Sequence, residues 1–201
     1  MTSRSHAASA ELIEEAARLI CEEGYADYRM AKQKAAERLG ISRGITLPDN
    51  ARIESAVLER QSLFGGREYQ ARLLDMRRTA LRAMRLLGAF EPRLSGSSVS
   101  GAIGEGHRVQ IHLVADQAES VEMLLHDRQI PFEQDERRYR LADGREARVP
   151  LLRFEADRIG VDIAVFDPAT LRHPPLSQVD GKPARRLTSE QLRALLGPDA
   201  L

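Results

Sequence analysis

The 201-residue sequence predicts an α+β fold on three observations. Residues 1–90 repeat apolar side chains at the spacing of one helical face, and after Phe90 the period changes to two. The run from Pro131 to Asp167 then divides into three strands, the first two joined at Ala142-Asp143-Gly144. The expected architecture is an all-helical N-terminal region, residues 1–90, packed on a mixed β-sheet with flanking helices, residues 91–201. LLGAFEPRL leaves almost no linker between the last of these helices and the first strand, which favours packing of one part on the other.

Each element has its own signal. MTSRSHAASA contains no apolar segment and reads as a tail. ELIEEAARLICEEG places Leu12, Ala16, Leu19 and Ile20 on one face, with Gly24 suited to its end. In DYRMAKQKAAERLG, Asp27 is the cap and Gly40 the stop. ISRGITLPDN follows as a loop punctuated by Gly44 and Pro48. DNARIESAVLERQSLF offers Ile53, Val57, Leu58 and Phe64 as a buried stripe. The longest helix, REYQARLLDMRRTALRAMRLLGAF, turns Leu73, Leu74, Leu81, Met84 and Leu87 toward a core. RVQIHLVAD alternates Val109, Ile111 and Leu113 with Gln110, His112 and Val114, as a strand does. QAESVEMLLHDRQI is a short helix before Pro131, and Asp116 is its natural N-cap. Residues 168–183 are proline-punctuated loop, and TSEQLRALL closes the chain as a helix opened by a Thr/Ser cap.

Composition narrows the class. Apolar residues make up 42% and charged residues 30%, as in soluble globular proteins. No run approaches the roughly 18 apolar residues of a spanning helix, so no membrane partner is expected. The lone Cys21 excludes an internal disulfide framework and a cysteine-based metal site, and cytoplasm is the default location. Residues 1–90 carry 15 basic against 12 acidic side chains and residues 91–201 carry 15 against 18, an asymmetry too weak to announce a nucleic-acid partner. All but three of the 30 basic residues are arginines, suited to bidentate phosphate or carboxylate contacts, although a codon bias toward Arg is the simpler account.

The stretch RLSGSSVSGAIGEGHRVQIHLVAD, residues 93–116, carries the chemistry. Backbone N–H groups after Gly96, with the hydroxyls of Ser95, Ser97 and Ser98, can cup a phosphate. The same residues also read as a plain strand-to-helix turn with capping serines. Gly101, Gly104 and Gly106 read as a flexible loop, and not as a dinucleotide fingerprint, because a strand follows them.

Taken together, residues 94–167 resemble the DNA polymerase β-like nucleotidyltransferase superfamily in its minimal form. The resemblance rests on the Gly96-Ser97 turn, on Gly101 closing a short helix, on the strand Gln110–Val114, and on Asp162 within VDIAVF. It implies a second strand with two aspartates one residue apart and a third acid on a later strand, together holding two divalent ions that neutralise charge during in-line transfer. Here Gln110 and His112 stand where the paired aspartates are expected, leaving Asp162 as the one acid of three. An amide and an imidazole bring no negative charge to a hard cation such as Mg²⁺. The resemblance therefore implies a degenerate metal motif at Gln110, His112 and Asp162, with Mg²⁺ or Mn²⁺ as the metal if one binds. Asp116 shares strand parity with Gln110 and is the alternative ligand in a shifted register. A His112–Asp162 pair could also take Zn²⁺ or Mn²⁺, but no third ligand is evident.

Arg78, Arg82 and Arg85 share a stripe of the longest helix and form a candidate phosphate-backbone contact, as well as an ordinary solvated face. AKQKAAERLGIS echoes the first half of a helix-turn-helix, but Thr46-Leu47-Pro48 interrupts before a recognition helix could begin. Arg137, Arg138 and Arg140 lie beside Asp135 and Glu136, where cross-strand ion pairs are expected. Three functional classes fit: a degenerate nucleotidyltransferase-fold protein binding a nucleoside triphosphate or an RNA end through Gly96, Ser97 and Ser98; an active metal-dependent nucleotidyltransferase using Asp162 with Asp116 or Glu105; and an interaction scaffold presenting the arginine-bearing helices. Oligomeric state is open.

Overall fold

The computed structural model describes residues 2–41 and 46–197, which form an α+β fold of eight α-helices and one five-stranded sheet. Two compact units divide the chain. One comprises the residues up to Ala71 with 101–107 and 178–180, and the other comprises 72–100, 108–177 and the residues from Gly181 onward. None of the described helices is long and apolar enough to cross a membrane.

The helical unit contains α1 (Thr2–Glu22), α2 (Tyr28–Arg38), α3 (Asn50–Phe64) and the start of α4 (Gly66–Leu86). Leu12, Ala16, Leu19 and Ile20 form one buried stripe of α1, joined by Ala31 and Ala35 of α2 and Ile53 and Val57 of α3. Two alanines four residues apart on α2 let its backbone come close, since no side chain holds the helices apart. Asp27 caps α2 by accepting from Met30 N at 2.9 Å, and Asp49 caps α3 by accepting from Arg52 N at 2.8 Å.

Three expectations change here. The tail is helical from Thr2, because Ser, Ala and His without glycine or proline continue α1 backward. Leu58 and Phe64 are not core residues, at 36% and 74% exposure; the buried positions of α3 end at Val57, and Phe64 instead lies under the Arg60 guanidinium at 5.5 Å. The glycines of 101–106 are not a loose loop: a Cβ on Gly104 would lie 1.8 Å from Ile20 O, and one on Gly106 would lie 1.9 Å from Gly24 O. The segment thus runs against the end of α1 backbone to backbone, with Ala102 and Ile103 fully buried. Gly44, expected to punctuate the loop before α3, lies outside the described residues.

The second unit holds the rest of α4, then β1 (Arg93–Ser95), α5 (Ser97–Ser100), β2 (Val109–Val114), α6 (Glu119–Asp127), β3 (Glu133–Arg140), β4 (Glu146–Ala156), β5 (Ile159–Phe166), α7 (Pro168–Leu171) and α8 (Ser189–Leu196). The sheet order is β1-β2-β5-β4-β3, with β2 and β5 parallel and the other neighbours antiparallel. Leu94, Val109, Ile111, Leu113, Val161, Ile163, Leu152 and Phe154 share one face and are all buried. The opposite face is divided: Val149, Leu151, Ala164 and Phe166 form a second apolar cluster, and beside it runs a polar row.

Smaller differences follow from local geometry. The N-cap position of helix α6 is Ala118, already helical at φ −63° and ψ −30°, so Asp116 is too far upstream to cap it. Leu74 is half-buried, and Met76 and Ala80 supply the buried stripe of α4 beside Leu73 and Leu81. Within 168–183 the chain forms α7, capped by Asp167 accepting from Thr170 N at 2.8 Å. The expected cross-strand ion pairs do form, Asp135 with Arg153 at 2.9 Å and Glu136 with Arg148 at 3.6 Å, the arginines coming from β4. The expected Thr cap of α8 is present and extends to a capping box: Gln191 N donates to Thr188 Oγ1 at 3.2 Å, and Thr188 N donates to Gln191 Oε1 at 2.9 Å.

Candidate functional site

Strand register aligns Ser95, Gln110, Asp162 and Arg153 in one row across β1, β2, β5 and β4. The turn leaving β1 closes over this row. Gly96 has φ +74°, and a Cβ there would lie 2.7 Å from Gln110 Oε1, so only glycine permits both the turn and the amide beneath it. Arg77 of α4 fastens the far side of the turn by donating from Nε to Ser98 O at 3.0 Å and from Nη2 to Val99 O at 3.5 Å, carbonyls that the single-turn helix α5 leaves unpaired. The Ser97 and Ser98 hydroxyl oxygens are buried and have no hydrogen-bond partner among the described residues.

Asp162 is 6% exposed, and its charge is answered by arginine. Arg108 Nε donates to Asp162 Oδ1 at 2.6 Å, and Arg108 Nη2 donates to Phe154 O at 3.1 Å and Val161 O at 3.4 Å. Arg153 Nε lies 3.8 Å from the same carboxylate oxygen. The Arg108 guanidinium lies against Gly160, where a Cβ would fall 2.1 Å from Nη1; glycine makes the room for it. A planar donor fork that satisfies a carboxylate and two carbonyls at once is what makes arginine tolerable in a partly buried pair.

These residues do not fit a divalent cation. Mg²⁺ requires several free oxygen ligands, and here the single carboxylate is engaged by one guanidinium with a second close by. Gln110 supplies only an amide, turned toward Gly96. Among the described residues, no group of three or more His, Cys, Asp or Glu side chains could hold a metal.

His112 shares the face of Gln110 but belongs to the apolar cluster. It is 4% exposed, with its ring 5.5 Å from Tyr139 and 5.0 Å from Phe166. Burial, together with the charges of Arg186 and Arg137, pushes its pKa down to about 3, and Nδ1 has no hydrogen-bond partner among the described residues. The imidazole is therefore neutral packing. Asp116 is exposed beyond the end of β2, and Glu105 belongs to the helical unit.

Of the arginine stripe, Arg82 is held by Asp157 and by Thr79 Oγ1 at 2.9 Å, and Arg78 lies 4.0 Å from Asp75. Arg85 is exposed in the last turn of α4. Sequence reasoning missed Arg108, and saw in Arg77 only one of the arginines along the longest helix. For Arg108 a signal existed: it alternates with Gln110 and His112 on the strand face expected to bind metal. No protein-family model matches the chain, and no curated protein matches it.

Proposed function

We propose that this chain is a nucleotidyltransferase-fold protein that has lost transfer chemistry and binds a nucleotide or an RNA end through the Gly96-Ser97-Ser98 turn. The observation that carries the reading is the Arg108–Asp162 pair: a guanidinium occupies the carboxylate that metal-dependent transfer would need. Three features support it. The positions corresponding to the three acids of the resembled family, Gln110, His112 and Asp162, share one sheet face, with Gln110 and Asp162 directly paired in register. The left-handed glycine turn stands over that pair. The buried hydroxyls of Ser97 and Ser98 have hydrogen-bonding capacity that no described residue uses.

The role of each residue follows. Gly96 and the backbone after it would receive phosphate oxygens, Gln110 would hold the turn, and Arg108 would supply positive charge that a metal supplies elsewhere. Calorimetric titration of a nucleoside triphosphate panel, with Mn²⁺ and again with chelator, tests this. Binding is expected to persist in chelator and to weaken about tenfold or more in Arg108→Met. Binding that requires Mn²⁺, or no binding under either condition, would overturn the reading.

A further inference from the structure

Beside the polar row, the second unit has a half-open cavity of about 220 Å³ lined by Glu91, Arg93, Val114, Leu171 and Arg186. Its position follows from pairing. Leu187 bridges Leu94 of β1 in antiparallel fashion, with N–H···O distances of 2.9 and 2.8 Å. Leu94 and Leu187 are both buried, so the residues that alternate with them, Arg93 and Arg186, point to the opposite face. Two arginines are thereby brought to one cavity by the strand and the segment that covers its edge.

Their partners are unequal. Arg93 donates from Nη1 to Glu91 O at 3.3 Å and to Pro92 O at 3.1 Å, and its Nη2 lies 3.9 Å from Glu91 Oε2. Arg186 is half-buried and makes no hydrogen bond or ion pair with a described residue. Burial and the nearby Arg93 both push its pKa below the ordinary arginine value, which marks a cation held against desolvation and like-charge repulsion. A half-buried cation whose nearest charge is another cation adds nothing to the fold and is unfavourable. An anion between the two guanidinium groups removes both penalties. Val114 and Leu171 supply an apolar wall that strengthens the attraction.

We propose that the cavity between Arg93 and Arg186 is a binding site for a small phosphate-class anion, either free phosphate or the terminal phosphate of a monoester. Its volume lies below the roughly 300–1,000 Å³ of sites for drug-sized ligands, so it admits the charged group and leaves any attached moiety outside. Arginine forks match the oxygens of a tetrahedral phosphate in bidentate fashion. This site does not depend on the Gly96 turn, and it stands or falls separately from nucleotide binding.

The test is thermal unfolding of the full chain in phosphate and in chloride of equal ionic strength, with calorimetric titration of inorganic phosphate and of a nucleoside monophosphate. The melting temperature of the natural chain is expected to rise in phosphate. Arg186→Met is expected to unfold at the same temperature or higher in chloride, to lose the phosphate response, and to weaken phosphate binding about tenfold or more. Arg186→Lys should retain part of the response, and the surface variant Arg38→Met in the helical unit all of it. Equal affinity for phosphate and the monophosphate would identify the bare phosphate group as the ligand, and tighter binding of the monophosphate would identify a monoester; either supports the site. Absence of a phosphate-specific rise, retention of the response in Arg186→Met, or failure of that variant to fold would overturn it.

Discussion

In the helical unit, Arg18, Arg38 and Arg60 reach Glu15, Glu22 and Glu23 at 2.5–3.3 Å, and every one of these cations has a carboxylate at the surface. In the sheet unit, Arg108 holds a carboxylate whose side chain is only 8% exposed, and Arg186 meets another arginine. The same residue type therefore serves two ends. On the helices it forms a shared, solvated network of modest worth, because water and salt screen such pairs. On the sheet the charges are withdrawn from water and must be matched group by group. At Asp162 a guanidinium answers the carboxylate directly. At Arg186 the nearest charge is another cation, and that mismatch is what the proposed anion would relieve.

The contrast breaks if the buried pair proves no stronger than the surface network. Asp162→Ala leaves Arg108 facing carbonyls and Arg153 alone. Allowing for the 34% exposure of Arg108, it should cost about 2–3 kcal/mol in urea unfolding. The double variant Arg108→Met/Asp162→Leu should recover most of that loss, since an apolar pair needs no matching. A loss in Asp162→Ala no larger than that of a surface substitution would end the distinction.

His112 sharpens the comparison through pH. Its folded pKa of about 3 lies below the unfolded value of about 6.5, so the unfolded chain binds the extra proton between those limits. Stability is accordingly full above pH 6.5 and falls as pH drops toward 3, by up to about 1.4 kcal/mol per pH unit. Glu15 in the helical unit, held down to about 2 by hydrogen bonding to Arg18, gives up its contribution only below its ordinary value of 4.5. Unfolding measured between pH 6.5 and 4.5 therefore isolates the sheet unit, and His112→Phe should flatten the slope there. An unchanged slope would place the titrating group elsewhere.

The smallest effect is expected on the helices. Arg38→Met breaks contacts to Glu15 and Glu23, yet it should lower the melting temperature only slightly, and the difference should vanish near 1 M salt. A large, salt-insensitive loss would show that the network is structural in the same sense as the buried pair.

Local rules determined much of this protein. The helical stripes of α1 and α4, the caps at Asp27 and Thr188, the alternation of β2 and the hairpin at Asp143-Gly144 are all written in the sequence, because each depends on residues within one or two turns of itself. Gly96 as a tight turn and the poverty of acids beside Asp162 were legible for the same reason. The tertiary structure decided what distance along the chain conceals. The hairpin between β4 and β5 turns at Asp157-Arg158, with φ of 51° and 65° in place of an Asn-Gly signature, because the flanking strands pair on either side of it. Phe64 looked like core and is solvent, since burial depends on where the opposing helix ends. Gly104 looked loose and is tightly packed, since only the fold brings Ile20 to it. Arg108 and Asp162 are separated by 54 positions in the chain and joined at 2.6 Å. A parallel strand pair sets that meeting; the alternation of Arg108 with Gln110 and His112 marks its face, but nothing local names its partner.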